Sequence, residues 1–295
     1  MISNPVPVIV NYINQNASTS IVGFARSLLA VGLILTLIFN NINVLIPADY
    51  VAALDHGSMR FHSNFFFILG PSHLNMTRLL AVSVLMLVIS GYYMQVTSIL
   101  HCWITTSFVM IRPAYLGGDN INMLLTLLLI PVCIFDKRKN HWDKYIPENN
   151  SIYFVQNLFL SFIKIQVAFI YLDSVFLKLH IKEWRDGSVI YYWFNHNFFG
   201  LSTPFSNALK PLFERLPLSI GIAWGTLLFE ASMAFALLFP GKVKRGLLKC
   251  GIIFHFLILL IHGFALLFFA MSAALFLYLY PAKKGFALNL FSNEK

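Results

Sequence analysis

The chain has 295 residues, of which 58% are hydrophobic and only 11% are charged. Soluble domains carry about a quarter charged residues, so a chain this apolar lacks the polar surface that a water-facing globule needs. The 21 Lys and Arg residues outnumber the 12 Asp and Glu residues, which gives a net charge of +9. Positive loops on the cytoplasmic side of a membrane explain this excess. From this composition we expect a polytopic membrane protein. Because no basic run is interleaved with aromatic residues, we expect no nucleic-acid partner.

Apolar stretches long enough to cross a bilayer, which takes roughly 20 residues, recur along the chain. The second and third are separated only near Thr97 and Ser98, and the last two only near Gly263. The pattern predicts an all-α transmembrane helical bundle of about eight spans. The predicted spans are 21–44, 77–97, 98–115, 121–136, 151–177, 217–239, 246–262 and 263–281.

Three dense Lys/Arg clusters predict which way the spans cross the membrane. Each cluster adjoins a span, and placing all three inside requires an even number of spans with both termini cytoplasmic. The clusters are "DKRKNHWDK" (136–144), "GKVKRGLLK" (241–249) and "AKKG" (282–285). The predicted outer loops are then 45–76, 116–120 and 178–216.

One transmembrane domain is predicted over 21–281, and it includes the long outer loop 178–216. Within that loop "SVIYYWFNHNFFG" (188–200) is too short to span and suits an amphipathic segment that lies in the membrane interface. Residues 1–20 lack a positive n-region, so we expect an N-terminal interfacial segment rather than a cleaved signal peptide. Residues 282–295 form a predicted cytoplasmic tail.

Two charged residues lie at the ends of predicted spans. Arg26 either extends to lipid phosphate near the inner face or forms an ion pair with a carboxylate such as Glu230. Asp119 follows two glycines in "YLGGDNINMLL", directly before an apolar run. It either caps a helix, by accepting from free backbone N–H groups, or places a carboxylate in an outer cavity.

A polar stripe follows one face of the span 151–177. Lys164, Tyr171 and Lys178 are spaced by seven residues, and Ser174 precedes Lys178 by four, so all four share a helical face. Lys178 is either an interfacial anchor or a reactive residue, because a desolvated lysine loses part of its preference for the charged form.

Two further spans also contain ionisable residues. Glu230 lies near the middle of its span and needs a proton, an Arg, a Lys or a His as partner. His255 and His262 are seven residues apart on one face of theirs. Together with Lys178 they predict an outward-facing polar chamber, which suits a general-base enzyme, a proton-coupled carrier or a buried salt-bridge network. The spacing of these residues does not indicate a metal site.

Four motifs, taken in order, resemble the HTTM (horizontally transferred transmembrane) domain shared with vitamin K-dependent gamma-carboxylases. The length and the first motif are most similar to SdpB-type sporulation-delaying proteins. The motifs are "GFARSLLAVGLILTLIFN", "GGDNINMLLTLLLIP", "QVAFIYLDSVFLKLHIKEWRDGSVIYY" and the series Glu230, Pro240, Arg245, His255.

The resemblance to the carboxylases implies roles for particular residues. In the carboxylases a lysine directly precedes a leucine, and a Trp and a Gly follow. That lysine is implicated as the base that acts on vitamin K hydroquinone. Lys178-Leu179 with Trp184 and Gly187 falls on that pattern, with one extra residue before the Trp. One carboxylase histidine corresponds to His255, whereas another falls on Asp119, which is a departure. We expect no counterpart of the large lumenal domain of the carboxylases. The implied catalytic residues are Lys178, His255 and Glu230; those implied for a quinone-type cofactor are Tyr171, Trp184, Asp119 and Arg26.

The resemblance to SdpB-type proteins implies a bacterial inner-membrane protein that is required for maturation of a secreted peptide toxin. Its expected partners are membrane lipid, an exported precursor peptide and a small partner protein. Two classes of function stay open at this point. The protein is either a carboxylase-like enzyme with Lys178 as base, or a non-catalytic scaffold or chaperone that presents the precursor to another enzyme. A transporter is disfavoured because the sequence has no inverted repeat.

Overall fold

The computed structural model describes residues 19–54, 57–113, 117–143, 150–196, 200–201, 211 and 215–280. Most of the predicted N-terminal segment, part of the loop 178–216 and the whole predicted tail 282–295 lie outside these residues. So does the basic cluster 282–285.

The described residues form helices, and apart from one isolated bridge between Tyr92 and Asn140 they contain no β-structure. The all-α prediction is confirmed. Short helical segments at Ile42–Leu45, Ala48–Ala52, Met59–His62, Phe65–Phe67 and Pro71–His73 connect the first two long helices. The helices that build the fold are α1 (Ser20–Phe39), α2 (Leu74–Ser90), α3 (Met94–Met110), α4 (Gly117–Ile134), α5 (Asn150–His180), α6 (Lys182–Asp186), α7 (Val189–Phe194), α8 (Leu216–Ala234), α9 (Gly241–His262) and α10 (Ala265–Leu279).

Each of the eight predicted apolar stretches corresponds to one long helix. Six helices in the described part of the chain are long and apolar enough to cross a membrane, namely α1, α2 with its preceding turn, α4, α5, α8 and α9. The helices α3 and α10 are shorter, with 17 and 15 residues. The chain is therefore a multi-pass membrane protein with about six candidate spans, while a total of eight and the cytoplasmic termini stay predictions.

The predicted break between the second and third spans is wrong by several residues. The chain turns at Gly91, where φ is +88°, and Thr97 and Ser98 lie inside α3. Glycine reaches this left-handed conformation without a steric penalty. Inside α3 the hydroxyls of Thr97 and Ser98 donate to the carbonyls of Tyr93 and Gln95 in the preceding turn, so these polar side chains do not end it. The predicted break at Gly263 is confirmed, since α9 ends there with φ at +73°.

The helices divide into two compact units. The first comprises Met1–Ile163, Ala265–Leu277 and Pro281–Lys295, and the second comprises Lys164–Phe264 with Tyr278–Tyr280. In the first unit a buried apolar cluster joins side chains of α1, α2 and α3 with the aromatic residues Phe65, Phe66 and Phe67. In the second unit a small cluster of Val189, Ile190 and Ala223 packs α7 on α8.

A buried arginine ties together three parts of the first unit. Arg26 of α1 is only 1% exposed. Its guanidinium donates to Thr97 Oγ1 at 2.8 Å and to His141 Nδ1 at 3.2 Å. Since a guanidinium can only donate, Nδ1 of His141 is an acceptor and the imidazole is neutral. Burial and the charges of Arg26 and Arg138 lower the pKa of His141 to about 3, which agrees with that neutral form.

These contacts correct both interpretations of Arg26. Its side chain does not extend to a lipid surface, because it is buried. Its partners are neutral side chains in its own unit, and Glu230 is bound by another cation. The guanidinium donates hydrogen bonds to a hydroxyl and to an imidazole, which compensate part of the cost of burying its charge.

Gly23 leaves the room that His141 needs. A Cβ at this position would lie 2.6 Å from two ring atoms of His141. We expect Gly23→Ala to displace the imidazole from Arg26 and to lower the free energy of unfolding by about 1–3 kcal/mol. Thermal unfolding of the purified protein in detergent measures this change.

Gly225→Ala is the matched control, because a Cβ there meets no described atom within 4 Å. It should be neutral or slightly stabilising, since alanine favours a helix over glycine by about 1 kcal/mol. Equal melting temperatures for the two variants would contradict the packing of Gly23 on His141.

Candidate functional site

The second unit contains most of the predicted site residues, and α5 supplies two of them, Tyr171 and Lys178. Tyr171, Ser174 and Lys178 follow one another by three and four residues, so their side chains stand on one face of this helix. Tyr171 is buried, whereas Lys178 lies in the last turn of the helix. The predicted stripe is therefore present, and it runs from the interior of the unit toward the end of α5.

Lys178 forms an ion pair with Glu230 of α8. Its Nζ lies 2.5 Å from Oε1 and 2.5 Å from Oε2 of the carboxylate. The same ammonium donates to Ser174 Oγ at 2.8 Å, and Ser174 Oγ donates to Glu230 Oε2 at 3.2 Å. The three side chains thus form a closed triangle of hydrogen bonds that joins α5 to α8.

This triangle is largely removed from solvent. The side chain of Lys178 is 20% exposed and that of Glu230 is 7% exposed. Separating two such charges leaves each without compensation in a medium of low dielectric constant, which is far more costly than breaking a surface pair. The ammonium of Lys178 is turned toward a neighbouring helix rather than outward, so simple interfacial anchoring does not describe its environment.

Trp184 covers the ammonium from the other side. Lys178 Nζ lies 5.0 Å from the centroid of the Trp184 ring, which is within the range of a cation–π interaction. Trp184 is held in place because Trp224 Nε1 donates to the carbonyl of Arg185 at 3.2 Å and so fastens α6 to α8. Gly187, with φ at +82°, ends α6, and a Cβ there would lie 2.6 Å from the backbone of Ile220. Only glycine lets α6 approach α8 this closely.

Tyr171 and His255 form a second polar pair in the same unit. Tyr171 Oη lies 3.1 Å from His255 Nε2, and both residues are buried. Within the part of the chain that the structure describes, His255 Nδ1 has no hydrogen-bond partner. This hydrogen bond joins α5 to α9 in the interior of the unit.

A cavity of about 570 Å³ adjoins Trp184. Its walls are formed by the short helices α6 and α7 and by the residues next to them. The lining residues are Ile181, Glu183, Trp184, Val189, Tyr192, Trp193 and His196. Because Trp184 also covers Lys178, the cavity and the ion pair share one wall.

Two curated proteins of Bacillus subtilis (strain 168) are similar to this chain over most of its length. One is the sporulation-delaying protein SdpB, which is 31% identical over 277 residues, or 90% of this chain and 82% of SdpB. The chain belongs to the SdpB family. The other relative is the uncharacterized protein YitO, 29% identical over 287 residues, or 95% of this chain and 92% of YitO. No protein-family model matches the chain, and no solved structure does.

In this SdpB-family protein, two predicted site residues, Arg26 and Asp119, belong to the first unit. Arg26 has the neutral partners described above. Asp119 does not precede its helix as predicted but lies in the first turn of α4, where a negative charge is favoured by the helix dipole. Its Oδ2 accepts a hydrogen bond from Arg112 at 2.7 Å. The glycine before it, Gly118, permits close packing, because a Cβ there would lie 2.6 Å from the backbone of Leu267.

Several residues of the site were not among the predicted ones. Ser174 was placed on the stripe, but its bond to Glu230 depends on the position of another helix. Tyr192 and Trp193 were recognised only as part of an interfacial segment, and their place in a cavity depends on how α7 packs. Among the described residues no group of three or more His, Cys, Asp or Glu could hold a metal ion.

The coupling between Lys178 and Glu230 can be measured by a double-mutant cycle. Lys178→Met and Glu230→Gln should each lower the free energy of unfolding by about 3 kcal/mol, since each leaves a buried partner without its counterpart. The double variant should lose clearly less than the sum of the two single losses. Unfolding in mixed detergent micelles gives the three values. Strictly additive losses would contradict a direct ion pair.

Proposed function

We propose that this protein is a bacterial inner-membrane protein that is required for maturation of a secreted peptide toxin, and that it acts through the site around Lys178 at the outer membrane face. The family assignment and the name of the relative, a sporulation-delaying protein, support the toxin pathway. The observation that carries the site is the ion pair of Lys178 with Glu230, which lies beside a cavity large enough for a side chain or a small cofactor.

The charge distribution supports the proposed orientation. The helix α5 has 31 residues, which at 1.5 Å per residue is about 46 Å and enough to cross a bilayer. It follows the basic cluster 136–144 and has Lys178 in its last turn. The helix α9 begins with four Lys or Arg residues within Gly241–Lys249. If these two basic clusters are cytoplasmic, Lys178 and the cavity beside it face the outside.

The chemistry that we propose for Lys178 begins from its ammonium form. In that form it donates hydrogen bonds to Glu230 and Ser174, and it can orient a carbonyl or carboxylate of the precursor. To act as a base it must first lose a proton, and Glu230 is the acceptor in direct contact. The HTTM and carboxylase resemblance supports this second role. In that role Lys178 would accept a proton from the hydroxyl group of a cofactor in its hydroquinone form.

A non-catalytic role is the second candidate, and the same ion pair favours it. A lysine that is fully engaged by a carboxylate and a serine stabilises the packing of α5 on α8 without any reaction. The protein would then be a scaffold or chaperone that presents the precursor to another enzyme, with a small partner protein bound nearby.

The variant Lys178→Arg separates these roles, because arginine keeps the positive charge but does not deprotonate in proteins. We expect secreted mature toxin to fall by about 100-fold or more, the range of a lost general base. The toxin is assayed in the medium of cells that carry only the variant protein, at matched protein levels in the membrane fraction.

Lys249→Arg serves as the control for an equivalent change at an exposed lysine and should leave toxin production unchanged. If Lys178→Arg matures the toxin at the wild-type level while Lys178→Met does not, the proposed base is wrong and the scaffold accounts for the site.

A further inference from the structure

The short helices α6 and α7 lie where a membrane span meets water. The spanning helix α5 ends at His180, and α6 begins two residues later. Tyr191, Tyr192 and Trp193 of α7 are 38%, 60% and 41% exposed. Exposed Tyr and Trp side chains at the end of a span are typical of the headgroup level of a bilayer, where their amphipathic rings are favoured. The cavity of the second unit therefore opens at the depth of phospholipid headgroups.

The cavity walls have the chemistry of a cation site. The aromatic residues Trp184, Tyr192 and Trp193 line it together with the acidic residue Glu183. Aromatic faces attract ammonium groups, and Trp184 already binds one, the ammonium of Lys178. In the described residues Glu183 makes no ion pair, so its charge is available to a ligand. Lys178 does not oppose a second cation strongly, since Glu230 neutralises it.

Two cations stand directly beside this site on α6. Lys182 precedes Glu183, and Arg185 follows Trp184, so the two cations are three residues apart and neighbours on the helix surface. Both are exposed, and across the described part of the chain neither forms an ion pair. The short helix thus presents two cations next to the aromatic cavity, with Asp186 beside them.

We propose that this surface binds the phosphoethanolamine headgroup of a membrane phospholipid. The ammonium enters the aromatic cavity and is paired with Glu183. The phosphate, two carbons away in the headgroup, is bound by Lys182 and Arg185. The acyl chains extend along the exposed apolar side of the neighbouring span. A phospholipid fits better than a peptide lysine because one headgroup satisfies both charges and already resides at this depth. The binding does not rest on the proposed role in toxin maturation.

The test uses the full-length protein in detergent and soluble headgroups as probes. Glycerophosphoethanolamine should quench or shift the tryptophan fluorescence, and the change should saturate. Glycerophosphoglycerol and inorganic phosphate lack the ammonium. They should bind at least about tenfold more weakly, equivalent to about 1.4 kcal/mol. Native mass spectrometry with intact phosphatidylethanolamine and phosphatidylglycerol should give the same order. Saturation by the lipid but not by the soluble headgroup would place the recognition in the acyl chains and overturn the proposal.

Variants assign the two halves of the site. Glu183→Gln should weaken phosphoethanolamine binding by about tenfold, or about 1.4 kcal/mol, and Arg185→Gln should weaken all three phosphate-containing probes together. Lys242→Gln, which removes an exposed charge elsewhere, should change none of them. Trp193→Leu provides a second cavity variant, and unchanged melting temperatures show that the variants fold.

Equal affinity of Glu183→Gln and wild type for glycerophosphoethanolamine overturns the proposal. A lysine-containing peptide whose binding requires Glu183, with no headgroup effect, assigns the cavity to a peptide instead.

Discussion

The contact between Lys178 and Glu230 is the constraint on which the site of this protein depends. A lysine and a glutamate in apolar helices are each costly alone, and together they need a geometry that satisfies every donor and acceptor. Here the Glu230 carboxylate accepts hydrogen bonds from Lys178 Nζ and Ser174 Oγ, and the Trp184 ring covers the ammonium. The pair therefore joins α5 to α8 at the point where Trp184 closes over the ammonium.

The glycines at the helix ends make this geometry accessible to the chain. Gly187 lets the end of the short helix α6 approach α8 closely, and Trp184 of the same helix lies over Lys178 and forms one wall of the cavity. In the first unit, Gly23 has a comparable role, since its missing side chain gives His141 access to Arg26. The close contacts that these two glycines permit thus help to position Trp184 in one unit and His141 in the other.

The sequence alone predicted the helices well, because apolar length and charge exclusion are local properties. It also placed Tyr171, Ser174 and Lys178 on one face, since helical spacing is local too. Pairings between helices could not be predicted in this way. Glu230 was matched with Arg26 as one alternative, although it binds Lys178, and Arg112 was not recognised as the partner of Asp119. The cavity beside Trp184 was likewise not predictable, because it depends on the packing of α7 on α8.

We propose that Lys178 takes part in toxin maturation and does more than balance the charge of Glu230. The exchange variant Lys178→Glu with Glu230→Lys tests this directly, since it keeps an ion pair between α5 and α8 but moves the ammonium to the other helix. The measurement is secreted mature toxin, compared with the melting temperature of the same purified variant. We expect a melting temperature near that of the wild type and no mature toxin. Recovery of both stability and toxin maturation would contradict it.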